Sequence, residues 1–186
     1  MSQPDELPER RDSLWTATTP TTDFPALDGD LRVDTAVVGG GIVGVTTALD
    51  CAEAGREVAL VESDRVVEGV TGKTTAKVTA QHGLVYDSLV DRRGRDVART
   101  YAEANAAAIE TVASRVEERD IDCDFQRPPA YTYVASEDRR ADLRREASVA
   151  AELGLPASYV RNPPFPEDAR GEGEVVRRDA RPRGRA

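Results

Sequence analysis

Residues 34–62, DTAVVGGGIVGVTTALDCAEAGREVALVE, constrain the fold of this chain more than any other stretch. A short β-branched run, Thr35 to Val38, passes without a gap into Gly39-x-Gly41-x-x-Gly44. Residues 43–54 continue with apolar positions at helical spacing, and Val58 to Val61 form a second apolar run closed by Glu62. Strand, glycine turn, helix and strand in this order predict a βαβ unit on a parallel sheet, the start of an α/β, Rossmann-like dinucleotide-binding domain.

Each residue type has a chemical reason. Gly39 lets the chain turn sharply out of the strand, Gly41 lacks the Cβ that would hold a pyrophosphate off the backbone, and Gly44 lets the helix pack closely on the sheet. The helix N-terminus offers free N–H groups and a positive dipole end to phosphates. Glu62 lies 18 residues beyond Gly44, at the end of the second strand, where a carboxylate can accept hydrogen bonds from a ribose.

The length of 186 residues allows one domain with a core and part of a second. Acids outnumber bases by 34 to 25, and Lys73 and Lys77 are the only lysines. Such a surface attracts neither nucleic acid nor anionic membrane. The acid-rich, lysine-poor balance has two readings, a halophilic protein solvated by carboxylates at high salt or an acidic protein of a GC-rich genome. Cys51, Cys123 and the lone His82 form no metal-ligand pattern, so two reduced thiols and no metal site are expected. Without an apolar run of spanning length or an apolar N-terminal leader core, the expected location is cytoplasmic.

Taken in order, residues 1–30 form an irregular arm broken by Pro4, Pro8, Pro20 and Pro25, with Leu14 and Trp15 as its anchor. Residues 31–120 form the cofactor-binding region. Within it, residues 63–83 read as a polar, threonine-rich loop, either solvated or closing over a second part of the cofactor. Its Gly69-Val-Thr-Gly72-Lys73-Thr74 is not a P-loop, which needs four residues between the first glycine and the Gly-Lys pair. Helices are expected over 84–91 and about 95–118, the latter with Val97, Tyr101, Ala104, Ala108, Val112 and Val116 as its core stripe. Residues 121–166 begin an α+β substrate region, with strands at 122–126 and 131–135, where Tyr131 and Tyr133 share a face, and a charged helix at 138–153. From Gly171 the chain carries five arginines against three acids with no visible strand run, so 167–186 read as a disordered tail or as a departure from the coding sense, such as a frameshift.

LRVDTAVVGGGIVG, VALVESD and EGVTGKTTAKVTAQHG together resemble the D-amino-acid oxidase and glycine oxidase (DAO) family of FAD-dependent oxidoreductases, and most of all its branch with a C-terminal Rieske domain. Leu14-Trp15 and Gln81-His82-Gly83 are similar to that branch as well, and the likeness runs to about Pro166. The resemblance implies FAD as cofactor, with Gly39, Gly41, Ile42, Val43 and Gly44 at the pyrophosphate, Glu62 and Ser63 at the adenosine, and Gly72, Thr74 and Thr75 reaching along the cofactor. Lys77 would lie near the flavin. It also implies hydride transfer to FAD from an amine or amino acid. Family members are longer, and a Rieske cluster needs two cysteines and two histidines, whereas this chain has a single histidine. A truncated, non-catalytic remnant, or half of a split flavoprotein joined by a separately encoded C-terminal half, is therefore the second expectation, and an NAD-dependent enzyme the third. No general base is nameable, and His82 reads as a loop or helix-start residue.

Overall fold

In the computed structural model, residues 13–134 and 137–160 and the backbone of 175–178 are described. Ser13 opens the first element by accepting the Thr16 N–H at 3.1 Å, capping a five-residue helix, α1 (Leu14–Thr18). The sequence predicted only an irregular arm here, because prolines surround a helix too short to show a period. Strands β1 (Thr35–Val38) and β2 (Val58–Val61) pair in parallel, Thr35 opposite Val58 and Val38 opposite Val61. Helix α2 (Ile42–Glu53) is the crossover between them and packs against both strands. This is the Rossmann-like unit that the glycine spacing predicts. The loop after β2 contains one tight 3-10 turn, Thr71–Lys73.

The chain divides into two compact units, Met1–Lys77 and Val78–Ala186. The second unit contains α3 (Val85–Arg93) and α4 (Arg95–Glu118), joined at Gly94, whose φ of +85° suits a residue without a side chain. Both helices belong to this unit, although the sequence reading placed 84–120 with the cofactor region. Strand β3 (Ala130–Tyr133), helix α5 (Arg140–Glu152), strand β4 (Ala157–Val160) and strand β5 (Val175–Arg178) complete it. β5 lies between β3 and β4 and is antiparallel to both.

Tyr86 of α3, Ala98 and Ala102 of α4, and Ala150, Leu153 and Leu155 on and after α5 form the larger buried cluster. Leu143 and Ala147 of α5 form a second one, under Tyr159 of β4. The predicted stripe on α4 holds in part: Tyr101, Val112 and Val116 are half-buried, Tyr101 against the larger cluster, whereas Val97, Ala104 and Ala108 are exposed and Ala98 and Ala102, outside the stripe, are buried. Close approach of three helices selects small side chains at the contact, and a count of bulky apolar residues passes over alanine.

Other expectations fail for local reasons. Residues 122–126 are not a strand, since Asp120 and Asp124 take φ of +49° and +51° and interrupt extension. Arg127 instead ties this segment to α4 through two hydrogen bonds of 2.9 Å to Glu110. β4 escaped the sequence reading, its Ala157-Ser158 start following Pro156 without the β-branched run that marks β1. β5 falls within the tail where no strand was expected, its Val175-Val176 pair being too short to stand out. The remainder of that tail lies outside the described residues.

Candidate functional site

The site is built at the C-terminal ends of β1 and β2. Gly39 continues the ladder by donating its N–H to the Val61 carbonyl at 2.8 Å, then turns the chain with φ of +107°. A Cβ on Gly44 would overlap the Gly39 carbonyl oxygen, so α2 can start this close to the strand only with glycine there. Thr71 reaches across from the following loop, and its hydroxyl accepts the Ile42 N–H at 3.0 Å. A Cβ on Gly41 would meet that same hydroxyl at 3.3 Å. Among the described residues, no intramolecular acceptor serves the N–H groups of Val43 and Gly44, which leaves two donors at the positive end of the α2 dipole.

Glu62 faces this turn from the end of β2. Its Oε2 accepts the Gly40 N–H at 2.5 Å, while Oε1 accepts the Ser63 N–H at 2.8 Å, the Ser63 hydroxyl at 3.0 Å and the Asp64 N–H at 3.2 Å. The Gly40 amide, then the Asp64 amide and the Ser63 hydroxyl, hold its carboxyl below the usual glutamate range. The group is therefore a carboxylate at neutral pH, fixed in direction by the turn it closes. A side chain on Gly40 would press on Glu62 and on the Val66 backbone, each at 3.2 Å.

Between the glycine turn and the loop after β2 lies an open cavity of about 500 Å³. Gly40, Gly41, Glu62, Thr71 and the cations Arg65 and Lys73 line it, with Thr16 of α1 at one side. Asp64 and Glu68 line it as well, the latter 4.0 Å from the Arg65 guanidinium, so the wall carries the cations Arg65 and Lys73 for an anionic group beside carboxylates that can accept hydroxyls. That donor set suits a nucleotide carrying a pyrophosphate and a ribose.

The structure brings Gly39, Gly41, Ile42, Val43, Gly44, Glu62 and Ser63 together around this turn. The later residues differ. Gly72 is buried, and a Cβ on it would overlap the Val67 carbonyl, so it permits a close backbone approach and does not line the cavity. Thr74 accepts the Trp15 indole N–H on its carbonyl at 2.7 Å and the Ala76 N–H on its hydroxyl at 3.3 Å. Thr75 and Lys77 are exposed, off the cavity wall. Gly40, Asp64, Arg65, Glu68, Thr71 and Lys73 are among the lining residues that sequence reasoning missed. Thr71 and Lys73 stood inside the threonine-rich loop, but only the fold shows which hydroxyl meets the α2 amide.

His82 belongs to the second unit, where its Nε2 lies 3.3 Å from the Asn105 Oδ1 and its ring meets Tyr101 edge-on. Cys51 and Cys123 are free thiols, and among the described residues no cluster of His, Cys, Asp or Glu is suited to a metal. No described helix is long and apolar enough to cross a membrane.

Residues 34–172 match the family model described as DAO, FAD dependent oxidoreductase. A putative Rieske 2Fe-2S iron-sulfur protein, YhfW of Bacillus subtilis, is 37% identical over 158 residues, covering 85% of this chain and 31% of that protein. Gamma-glutamylputrescine oxidoreductase of Escherichia coli is 30% identical over 117 residues, covering 63% of this chain and 27% of its own length. The fold is similar to that of glycine oxidase from Bacillus cereus, with a TM-score of 0.54 at 18% identity over 78% of this chain and 38% of that one. The chain thus spans about a third of the length of the proteins it resembles.

Proposed function

The chain belongs to the DAO family of FAD-dependent oxidoreductases, and on that premise we propose that its first unit binds the ADP half of FAD. The observation that carries this reading is the pair of unbonded amides, Val43 and Gly44, at the head of α2 beside the glycine turn. The pyrophosphate is assigned to these amides, with Lys73 and Arg65 supplying positive charge across the cavity. The carboxylate of Glu62, already aimed by the Gly40 and Asp64 amides, accepts the ribose hydroxyls, and Ser63 lies beside it. Gly72 serves by letting its loop approach, and Thr74 and Thr75 extend from that loop along the cofactor.

Bound FAD would supply the two-electron acceptor for a hydride from the carbon of an amine or amino acid. The name of the Escherichia coli relative supports an amine as substrate. The chain's own residues orient the cofactor by fixing its phosphates and ribose. Reconstitution tests the reading: purified protein mixed with FAD and desalted should carry one flavin per chain, and a colourless product overturns it.

A second reading has its own support. Val38 at the end of β1 is 86% exposed and Val43 at the head of α2 is 76% exposed, whereas a parallel sheet is ordinarily covered on both faces. In that reading the chain is a non-catalytic remnant that neither holds FAD tightly nor turns over, unless a separately encoded C-terminal half completes the flavin site. The desalted sample separates the two, since retained flavin that bleaches on anaerobic addition of amine supports turnover and a colourless sample supports the second. The acid-rich, lysine-poor composition also supports a halophilic setting. Unfolding that shifts to higher temperature in molar KCl would agree with it, and equal stability in dilute and molar salt would overturn it.

A further inference from the structure

Three side chains of the α1 segment converge on the Thr71–Lys73 turn. The Ser13 hydroxyl donates to the Gly72 carbonyl, and the Trp15 indole N–H donates to the Thr74 carbonyl at 2.7 Å. The Thr16 methyl Cγ2 lies so near that a Cβ on Gly72 would meet it at 3.0 Å. These contacts join residues about sixty positions apart, so sequence proximity does not create them. Burial does not hold α1 either: it has no buried residue, Leu14 is exposed and Trp15 is 41% exposed. What fixes α1 is polar and directional, and it is spent on the backbone of residues 72–74. Immediately before that backbone stands Thr71, whose hydroxyl meets the first amide of α2, and within it stands Lys73 on the cavity wall.

We propose that α1 is a brace for the cofactor turn, with Ser13 and Trp15 as positioning residues. They hold the 72–74 backbone so that Thr71 remains on the Ile42 amide and Lys73 remains at the cavity. A hydrogen bond from a rigid indole fixes the direction of the carbonyl it meets as well as its distance. Two such donors on either side of Lys73, with the Thr16 methyl between, remove most of the freedom of a short exposed turn. The Thr74 carbonyl is open to water, so losing the indole N–H costs the fold little. The cost falls on binding, because a ligand must then order the turn itself. The ligand in this proposal is the FAD of the preceding reading, while the geometry of the brace is independent of it.

The test uses the full chain with Trp15→Phe, which keeps an aromatic ring and loses the donor, with Ser13→Ala, and with Ser13→Thr, which keeps the hydroxyl. Amide hydrogen exchange at Ile42 is measured without FAD, and FAD affinity by flavin fluorescence. Trp15→Phe and Ser13→Ala should each accelerate Ile42 exchange and weaken FAD binding by about three- to tenfold, as the loss of one net hydrogen bond does. Ser13→Thr should restore both, and Trp15→Phe, which leaves the Ser13 cap of α1 in place, separates the brace from loss of that cap. Unchanged Ile42 exchange in Trp15→Phe and Ser13→Ala overturns the brace, and so does unchanged FAD affinity where the parent protein binds FAD. If the parent protein binds no FAD, the FAD reading falls and Ile42 exchange alone decides the brace.

Discussion

Glu62 and Glu146 do similar local work in the two units and respond oppositely. Glu62 accepts backbone N–H groups from Gly40, Ser63 and Asp64 beside an open cavity. Glu146, on α5, accepts those of Tyr86 and Asp87 at 2.9 and 2.8 Å, capping the start of α3 from a position only 2% exposed. The amides lower the Glu62 carboxyl. Burial raises that of Glu146 despite its amides, with the nearby Asp87 charge adding to the rise. Donors alone therefore do not decide a titration, and access to water does. The same contrast runs through the units: every buried apolar side chain among the described residues lies in Val78–Ala186, while the first unit is held by strand pairing, glycine contacts and polar bonds.

If this contrast is right, the largest single effect on stability comes from the second unit. Leu143 is fully buried, and Leu143→Ala should cost about 2–5 kcal/mol, read as a fall in the urea midpoint of helical circular dichroism. A loss below about 1 kcal/mol would break the assignment of the core.

Next in size, Gly44→Ala places a methyl on the Gly39 carbonyl and should cost about 1–3 kcal/mol by overpacking. Its effect on FAD affinity should exceed that on stability, because the turn itself is displaced. If the Gly44→Ala protein bound FAD as the parent does, the glycine turn would be removed from the site.

The glutamates sharpen the comparison through pH. The folded state depresses the Glu62 carboxyl, so its stabilisation is present above the unfolded value of about 4.3 and is lost as pH falls through the lower folded value. For Glu146 the sign reverses. The fold favours its protonated form, so stability falls as pH rises from about 4.3 through the raised folded value. Glu62→Gln should flatten the acid limb below about 4.3, and Glu146→Gln the limb above it. Titrating the urea midpoint of each variant checks both, and the same limb flattened by both would break the comparison.

The smallest effect is expected at Val38, whose side chain is almost fully open. Val38→Thr keeps the β-branch and should shift stability by less than about 0.5 kcal/mol. A larger loss in the thermal midpoint would show that this valine is covered in solution.

Legibility followed locality. The limits of β1 and β2 were readable to the residue, as was the start of α2 to within one, because β-branched runs meet glycines whose conformations few residues share. Helix α4 was readable because its period persists for six turns. Its buried face was not, because Ala98 and Ala102 are chosen by neighbours that come from α3 and α5. The site divides the same way. Gly39, Gly41, Gly44 and Glu62 announce themselves by spacing, but Thr71 was one threonine among several until the loop folded it onto Ile42.

A turn whose geometry depends on the absence of Cβ atoms is written in the residues that lack them, and so the dinucleotide unit and its place in the chain were already fixed at the level of primary structure. Which hydroxyl caps α2, which helix braces the loop and which of two glutamate carboxyls is lowered and which raised depend on atoms tens of residues apart meeting in space. Those meetings are made by chain closure and burial, and only the tertiary structure decides them.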